Sequence, residues 1–407
     1  MSPDSFANSI FLARQPIFDN DLKLFAYELL FRNNQDNESG VDDLNGDKAT
    51  SQVISHTFLE FGIDRVLGNK PGFLNLTRAF LTGELPLPFK TKNIVLEVLE
   101  DIEIDNEIIK GIKKLSAQGF TIALDDFIYH EDLKPLVDVA NIIKIDLLAL
   151  SEQELIEYVS TLKEFGVELL AEKVETEAQY QLCKELGFDY YQGYFFCEPT
   201  IIDDQPLPDN KATALKIISE LQIPNISITE IENLVKQDIS LSYKLLRCLN
   251  SAAFALPKHV NSLKQAVIYL GLDTIRAWAT IIAFSNVDSP VSNALLNTAL
   301  VRAKMAEILA EYFDCDPEAA FILGLFSPAD ALFNKPMEEL LTDLPISENL
   351  KAALQNSEGP LGKLLMFVRT HERGSLTIMP NSLSIPDINQ AYITATDWAN
   401  TSFEIIN

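Results

Sequence analysis

Between residues 10 and 200 one unit recurs: a short apolar, β-rich run that ends in a polar residue, followed by a stretch with helical spacing. The runs are Phe11–Pro16, Phe25–Phe31, Phe73–Leu76, Ile94–Val98, Thr121–Phe127, Ile142–Leu147, Glu168–Val174 and Tyr190–Phe196. Amphipathic segments such as Ile108–Gln118 and Glu152–Phe165 lie between them. This alternation predicts a mainly parallel sheet with helical crossovers. Eight strands in about 190 residues predict a closed barrel, slightly short for its class. The first link differs. Only DNDLKL separates Phe18 from Phe25. That is too short for a crossover, so the first two strands are expected to be antiparallel.

The pattern changes after EPTIIDDQPLPDN (198–210), whose prolines and aspartates read as a linker. Helical spacing follows in Ala212–Leu221, Ile228–Gln237, Ser240–Asn250, Leu263–Leu270, Ala294–Phe313 and Ala319–Phe333. Ser227 or Thr229 is placed to cap the second of these. The expected architecture is α/β: an irregular (β/α)8 barrel with antiparallel first strands over 1–200, a linker over 201–210, and an all-α domain over 211–407.

A net charge of −27, from 59 acidic and 32 basic residues, argues against DNA or an anionic membrane as a generic partner. The four cysteines, Cys183, Cys197, Cys248 and Cys315, form no close-spaced pair. Reduced thiols in a cytoplasmic protein fit better than disulfides or zinc. The N-terminal MSPDSFANS lacks the basic and apolar regions of a signal peptide. The most apolar stretch, Ala266–Phe284, contains Asp273 and Arg276 and reads as a buried helical segment, with no membrane insertion.

The strand ends carry Glu28, Asn75, Glu97, Asp125 with Asp126, Lys144 with Asp146, Glu172 with Glu175, and Gln192. A barrel brings such positions to one rim, where catalytic groups of this architecture gather. Carboxylates brought together repel unless a cation neutralises them. Hard oxygen donors with one amide suit Mg²⁺, Mn²⁺ or Ca²⁺ better than zinc. A lysine among them suits either the orientation of a water and phosphate charge or a buried ion pair. Taken singly, each acid is as readily a solvated strand end or a helix cap.

YELLFR (27–32), FLNLT (73–77), VLEVLE (95–100), ALDDF (123–127), IKID (143–146), AEKVET (171–176) and DYYQGYFFCEP (189–199) follow one another in order. In that order they resemble the successive motifs of EAL-domain cyclic di-GMP phosphodiesterases. The resemblance implies that Glu28, Asn75, Glu97 and Asp125 hold a first Mg²⁺ or Mn²⁺, and that Asp125 and Asp126 reach a second. It implies that Lys144 and Glu172 position the attacking water with Gln192 beside them, that Glu100 supports the loop after Asp126, and that Arg32 contacts a ligand phosphate. Three departures from the family pattern stand out. Leu29 replaces the signature Ala, Lys173 stands where typical members have Gly, and Ile128, Tyr129 and His130 replace Gly-Thr-Gly. A loop built without those glycines follows another backbone path. His130 reads as a surface loop residue.

SLSYKLLRCLNSAAFALPKHVNSLKQAVIYLGLDTIRAW (240–278) resembles the HDOD domain, a relative of HD phosphohydrolases, over roughly 211–374. None of the four histidines, His56, His130, His259 and His371, precedes an Asp, and GLFSPADAL (324–332) has Ser327-Pro328 where the His-Asp pair is expected. The helical half is therefore read as a non-catalytic module for an unidentified protein partner. Three readings follow: metal-dependent hydrolysis of cyclic di-GMP to pGpG, a sensor that holds cyclic di-GMP with little or no turnover, or a scaffold. A homodimer is compatible with each of them.

Overall fold

The computed structural model describes residues 10–33, 63–87, 93–100, 102–193, 209–251, 254, 256–287, 292–342, 344–375, 379–380 and 382–406. The linker expected at 198–210 lies outside these residues except for Asp209 and Asn210, which open the helix Asp209–Leu221.

Eight strands close into a barrel in sequence order. They are β1 (Ile10–Asp19), β2 (Leu24–Asn33), β3 (Gly72–Leu76), β4 (Ile94–Val98), β5 (Thr121–Leu124), β6 (Ile142–Asp146), β7 (Glu168–Glu172) and β8 (Tyr190–Tyr191). As expected, β1 is antiparallel to β2, and it is also antiparallel to β8, so it closes the barrel against the grain of its neighbours. The pairs from β2 through β8 are all parallel. The hairpin between β1 and β2 is tied by Asp19, whose carboxylate accepts from the backbone N–H of Asp21 and Lys23. Leu22 takes a left-handed φ of 57° there.

One apolar layer fills the barrel: Ile17, Ala26, Phe73, Val95, Ala123, Ile142 and Leu170, with Phe25 and Tyr190 packed against it. Each strand contributes to this layer, and that fixes what lies above it. Side chains of a strand share a face every second residue. Two residues beyond each core position therefore stand the side chains that share its face.

Strands β5 and β7 end short of their apolar runs at residues with unusual backbone. β5 stops at Leu124 and β7 at Glu172. Asp126 has φ 42° and Lys173 φ 56°, left-handed values that extended pairing cannot continue through. The crossover helix Glu152–Lys163 begins in a capping box of Ser151 and Glu154, and Glu177–Leu186 in one of Thr176 and Gln179. Such reciprocal caps satisfy the first free N–H groups of a helix and fix its start.

The chain packs as two compact units. The first comprises 1–196, 370–376 and 383–393, and the second 197–369, 377–382 and 394–407. In the second unit the helices Ile228–Lys236, Ile239–Leu249 and Leu263–Leu270 stand where their spacing predicts, and Ser227, with Glu230, caps the first of them. The expected single helix over Ala319–Phe333 is two, Pro317–Phe326 and Ala329–Phe333, because Pro328 lacks the N–H that continuation needs. The apolar stretch Ala266–Phe284 likewise breaks at Gly271, with φ 80°. Among the described residues no helix is long and apolar enough to cross a membrane.

His371, fully buried against the ring of Tyr392, gives the fold a pH dependence. Burial pulls its imidazole down to about 3. An unfolded histidine titrates near 6.5. The folded chain thus refuses a proton that the unfolded chain accepts, so stability is whole above about pH 6.5 and falls as pH drops toward 3. The slope reaches about 1.4 kcal/mol per pH unit. Between pH 7 and 5 the unfolding free energy is expected to fall by about 2 kcal/mol more in the wild type than in His371→Phe. Urea titrations at the two pH values measure this. Equal losses would show that His371 does not set the dependence.

Candidate functional site

Stepping two residues along each strand from the apolar layer reaches a second layer, and every strand supplies it with a polar side chain. These are Gln15 from β1, Glu28 from β2, Asn75 from β3, Glu97 from β4, Asp125 after β5, Lys144 from β6, Glu172 from β7 and Gln192 after β8. The register agrees: Gln15 pairs with Glu28 and Asn75 with Glu97. Gln15 escaped sequence reasoning. Its signal is position: β1 runs the other way, so its rim residue comes two before the core Ile17 instead of two after.

Lys144 lies at the centre. Its ammonium is 2.7 Å from Glu97 Oε1, 2.7 Å from Asp125 Oδ1, 2.9 Å from Glu172 Oε1 and 3.4 Å from Glu28 Oε1. One cation thus faces four carboxylates, with Lys144 and Glu97 essentially inaccessible to solvent. Burial works against the charge on Lys144, but the carboxylates outweigh it and hold its pKa well above the usual lysine range. Burial also drives Glu97 well above the usual carboxylate range. Lys144 opposes that shift, and Glu28 and Asp125 add to it. Glu172 is pushed up to about 8, by burial first, against the pull of Lys144 and with Glu28 and Asp125 repelling. A single ammonium does not balance the ring, so Glu97 and Glu172 favour their neutral forms.

Gln192 closes the ring. Its Nε2 donates to Glu28 Oε2 at 2.7 Å and to Gln15 Oε1 at 2.9 Å. Gly193 permits this placement: a Cβ there would stand 2.2 Å from the carbonyl oxygen of Val174.

Several buried oxygens accept nothing. Asn75 Oδ1, both carboxylate oxygens of Glu97, Asp126 Oδ1 and Gln192 Oε1 have no hydrogen-bond donor. Glu97 Oε1 contacts the Lys144 ammonium, but off the line of a hydrogen bond. Orphaned buried acceptors are costly, and their concentration here calls for a cation. Asp125, Asp126 and Glu172 bring one oxygen each within 4.8 Å of one another, the one such group of three acids, histidines or cysteines among the described residues. The donor set is hard oxygen throughout, which suits Mg²⁺, Mn²⁺ or Ca²⁺.

Glu100 is exposed in the turn after β4, close enough to repel Asp126. Arg32 lies in β2 opposite Phe11, and its side chain is outside the described residues. The loop after Asp126 has a support of its own. The Tyr158 hydroxyl donates to the Phe127 carbonyl and accepts from the Tyr129 N–H at 3.2 Å. The Tyr129 ring packs on Phe165 at 5.2 Å between centroids. His130 is exposed.

In the helical unit, the place expected for a His-Asp pair is sealed. Ser327 is buried, donates to the Gly324 carbonyl at 2.8 Å and accepts from Arg302 at 3.2 Å. Arg369 donates to the Ser327 carbonyl at 2.8 Å.

A closed barrel with an acid-rich rim, followed by a helical unit, defines a two-domain class, and the comparisons name it. The EAL domain family matches residues 59–199 and the HDOD domain family residues 207–332. The chain is 32% identical over 398 residues to the cyclic di-GMP phosphodiesterase CdgJ of Vibrio cholerae, spanning 96% of this chain and 92% of that protein. It is 32% identical over 403 residues to YuxH of Bacillus subtilis, spanning 96% of this chain and 98% of that protein. The chain belongs to this family, with an EAL domain followed by an HDOD domain. A Bacillus subtilis EAL-domain protein, YkuI, solved with c-di-GMP and calcium, aligns with 66% of this chain and 75% of its own at 20% identity and a TM-score of 0.39.

Proposed function

We propose that the barrel is a metal-dependent phosphodiesterase that opens cyclic di-GMP to linear pGpG, and that the helical domain after the linker at 201–210 is a non-catalytic module binding a protein partner. The observation that carries the reading is the eight-residue polar layer. It surrounds one lysine with four carboxylates, and Asn75 Oδ1 and Glu97 Oε2 are buried without donors. Membership of a family that includes the cyclic di-GMP phosphodiesterase CdgJ supports the substrate.

Glu28, Asn75, Glu97, Asp125 and Asp126 would hold Mg²⁺ or Mn²⁺. The ion would polarise a phosphate oxygen and acidify a bound water. The remaining work falls to side chains. Lys144 and Glu172, 2.9 Å apart, hold the attacking water and balance the charge that gathers on phosphorus. Gln192, anchored by Gln15 and Glu28, borders the same space. Arg32 takes a ligand phosphate and Glu100 steadies the loop after Asp126. Water adds to phosphorus, one P–O ester bond of the ring breaks, and the linear dinucleotide leaves.

In the helical domain Arg302 and Arg369 bind Ser327 where an HD enzyme would keep metal ligands, which supports a module without hydrolysis. The acidic composition accords with a cytoplasmic location.

The test is incubation of full-length protein with cyclic di-GMP and Mg²⁺ or Mn²⁺ at neutral and alkaline pH, following binding and pGpG separately. Turnover lost in Lys144→Ala with binding kept supports the enzyme. Binding with no pGpG would overturn it in favour of the sensor. The loop after Asp126 is where the two readings part. If Tyr158 replaces the missing glycines as its support, Tyr158→Phe should lower kcat by about tenfold to a hundredfold with KM little changed, the scale of an error of about 1 Å in placement. Unchanged kcat would show that the loop holds Asp126 without it.

A further inference from the structure

Lys173 follows directly on Glu172, in a left-handed backbone conformation (φ 56°) that a lysine adopts at a cost. That conformation turns the side chain back over the rim, where its ammonium forms an ion pair with Asp146, the last residue of β6. Asp126 and Glu172 add to the field that stabilises the charge on Lys173. Lys173 in turn opposes the repulsion that Asp126 receives from Asp125 and Asp146. This ammonium is held by Asp146 and makes no ion pair with Asp125, Asp126 or Glu172; it adds positive field beside that group, whereas Lys144 contacts Asp125 and Glu172 directly. The group points to a cation by independent signs: Asp126 Oδ1 is buried without a donor, and so is Oε2 of the wholly buried Glu97.

We propose that Lys173, tethered by Asp146 directly after Glu172, is a fixed positive charge beside the outer cation position, so that this barrel loads one divalent ion tightly and disfavours a second. The inference rests on reading the polar layer as a metal centre. A fixed positive charge beside a cation site lowers the affinity for any further cation, and the effect weakens with salt because the Lys173 side chain is about half exposed.

Mn²⁺ alone, added to the full-length protein, is the probe, read by calorimetry and by low-temperature electron paramagnetic resonance. The wild type is expected to bind one Mn²⁺ tightly with the spectrum of an isolated ion. Lys173→Met removes the charge and keeps the backbone demand, and Lys173→Gly removes both. In each, a second Mn²⁺ should bind about tenfold or more tighter than in the wild type, the least effect expected of one nearby charge. Its spectrum should broaden through coupling between two ions. Lys173→Arg should behave as the wild type. Equal stoichiometry and affinities in wild type and Lys173→Met would overturn the proposal and leave the first site standing. A wild type that binds no Mn²⁺ would overturn the metal reading and this proposal with it. An effect in Lys173→Gly alone would assign the difference to the backbone and also overturn it.

Discussion

Replacing Glu97 by glutamine is expected to weaken Mn²⁺ binding by about a hundredfold or more while leaving the fold intact. Loss of supporting residues around metal ligands already costs tenfold to a hundredfold in affinity. Glu97 has a stronger claim than a supporting residue: it is wholly buried in the polar layer, with Oε1 against Lys144 and Oε2 without a donor. Burial holds its carboxyl well above the usual range, so the metal-free barrel favours the neutral acid. Glutamine copies that neutral form in size and polarity, and the apo protein should melt within a degree or two of the wild type. It cannot become the anion that a divalent ion requires. Calorimetry gives the affinity and thermal unfolding reports on the fold. An unchanged Mn²⁺ affinity would remove Glu97 from the centre, and a collapsed fold in the variant would assign it a structural role instead.

The sequence reveals the polar layer because strand geometry is a short-range rule. In each parallel strand the acid, amide or lysine follows the core residue by two positions: Ala26 and Glu28, Phe73 and Asn75, Val95 and Glu97. What the same rule hides is direction. Gln15 precedes Ile17 because β1 is antiparallel, and only the closure of the barrel by β1 and β8 makes that visible. The departures from pattern, Lys173 and the loop at 128–130, stand out in the sequence as missing glycines. Their physical resolution depends on partners far along the chain. Lys173 finds Asp146 on the neighbouring strand, and the loop hangs on Tyr158 from the next crossover helix. Such contacts depend on tertiary placement, which local periodicity does not encode. The break at Pro328 is of the opposite kind: a local rule that the helical spacing of Ala319–Phe333 obscures.

Lys144→Met should produce the largest effects of all, and in two directions that metal separates. In the metal-free barrel the lysine is the inner counter-charge for four carboxylates at 2.7 to 3.4 Å. Removing one partner of a buried ionic cluster commonly costs about 3–5 kcal/mol, because the remaining charges stay buried and uncompensated. Here the acids relieve part of that cost by binding protons, as the raised positions of Glu97 and Glu172 already show. A loss of about 3 kcal/mol is therefore expected near neutral pH, and it should grow as pH rises past about 8, where Glu172 gives up its proton. For a unit of this size it appears as a drop of about 6–12 °C in Tm. Saturating Mn²⁺ supplies the missing positive charge, so the variant should regain most of its stability and gain more from the metal than the wild type does. Ligand binding to the folded state adds stability in proportion to the logarithm of its concentration over Kd. Turnover should not return with the metal, since the group that holds the attacking water is gone, and a loss of about a hundredfold to ten-thousandfold in kcat is expected. Thermal unfolding with and without Mn²⁺, beside pGpG release, reads both effects on one preparation. If the variant stays as stable as the wild type without metal, the lysine is not the inner counter-ion. If metal restores activity along with stability, its role ends with charge balance and the catalytic assignment fails.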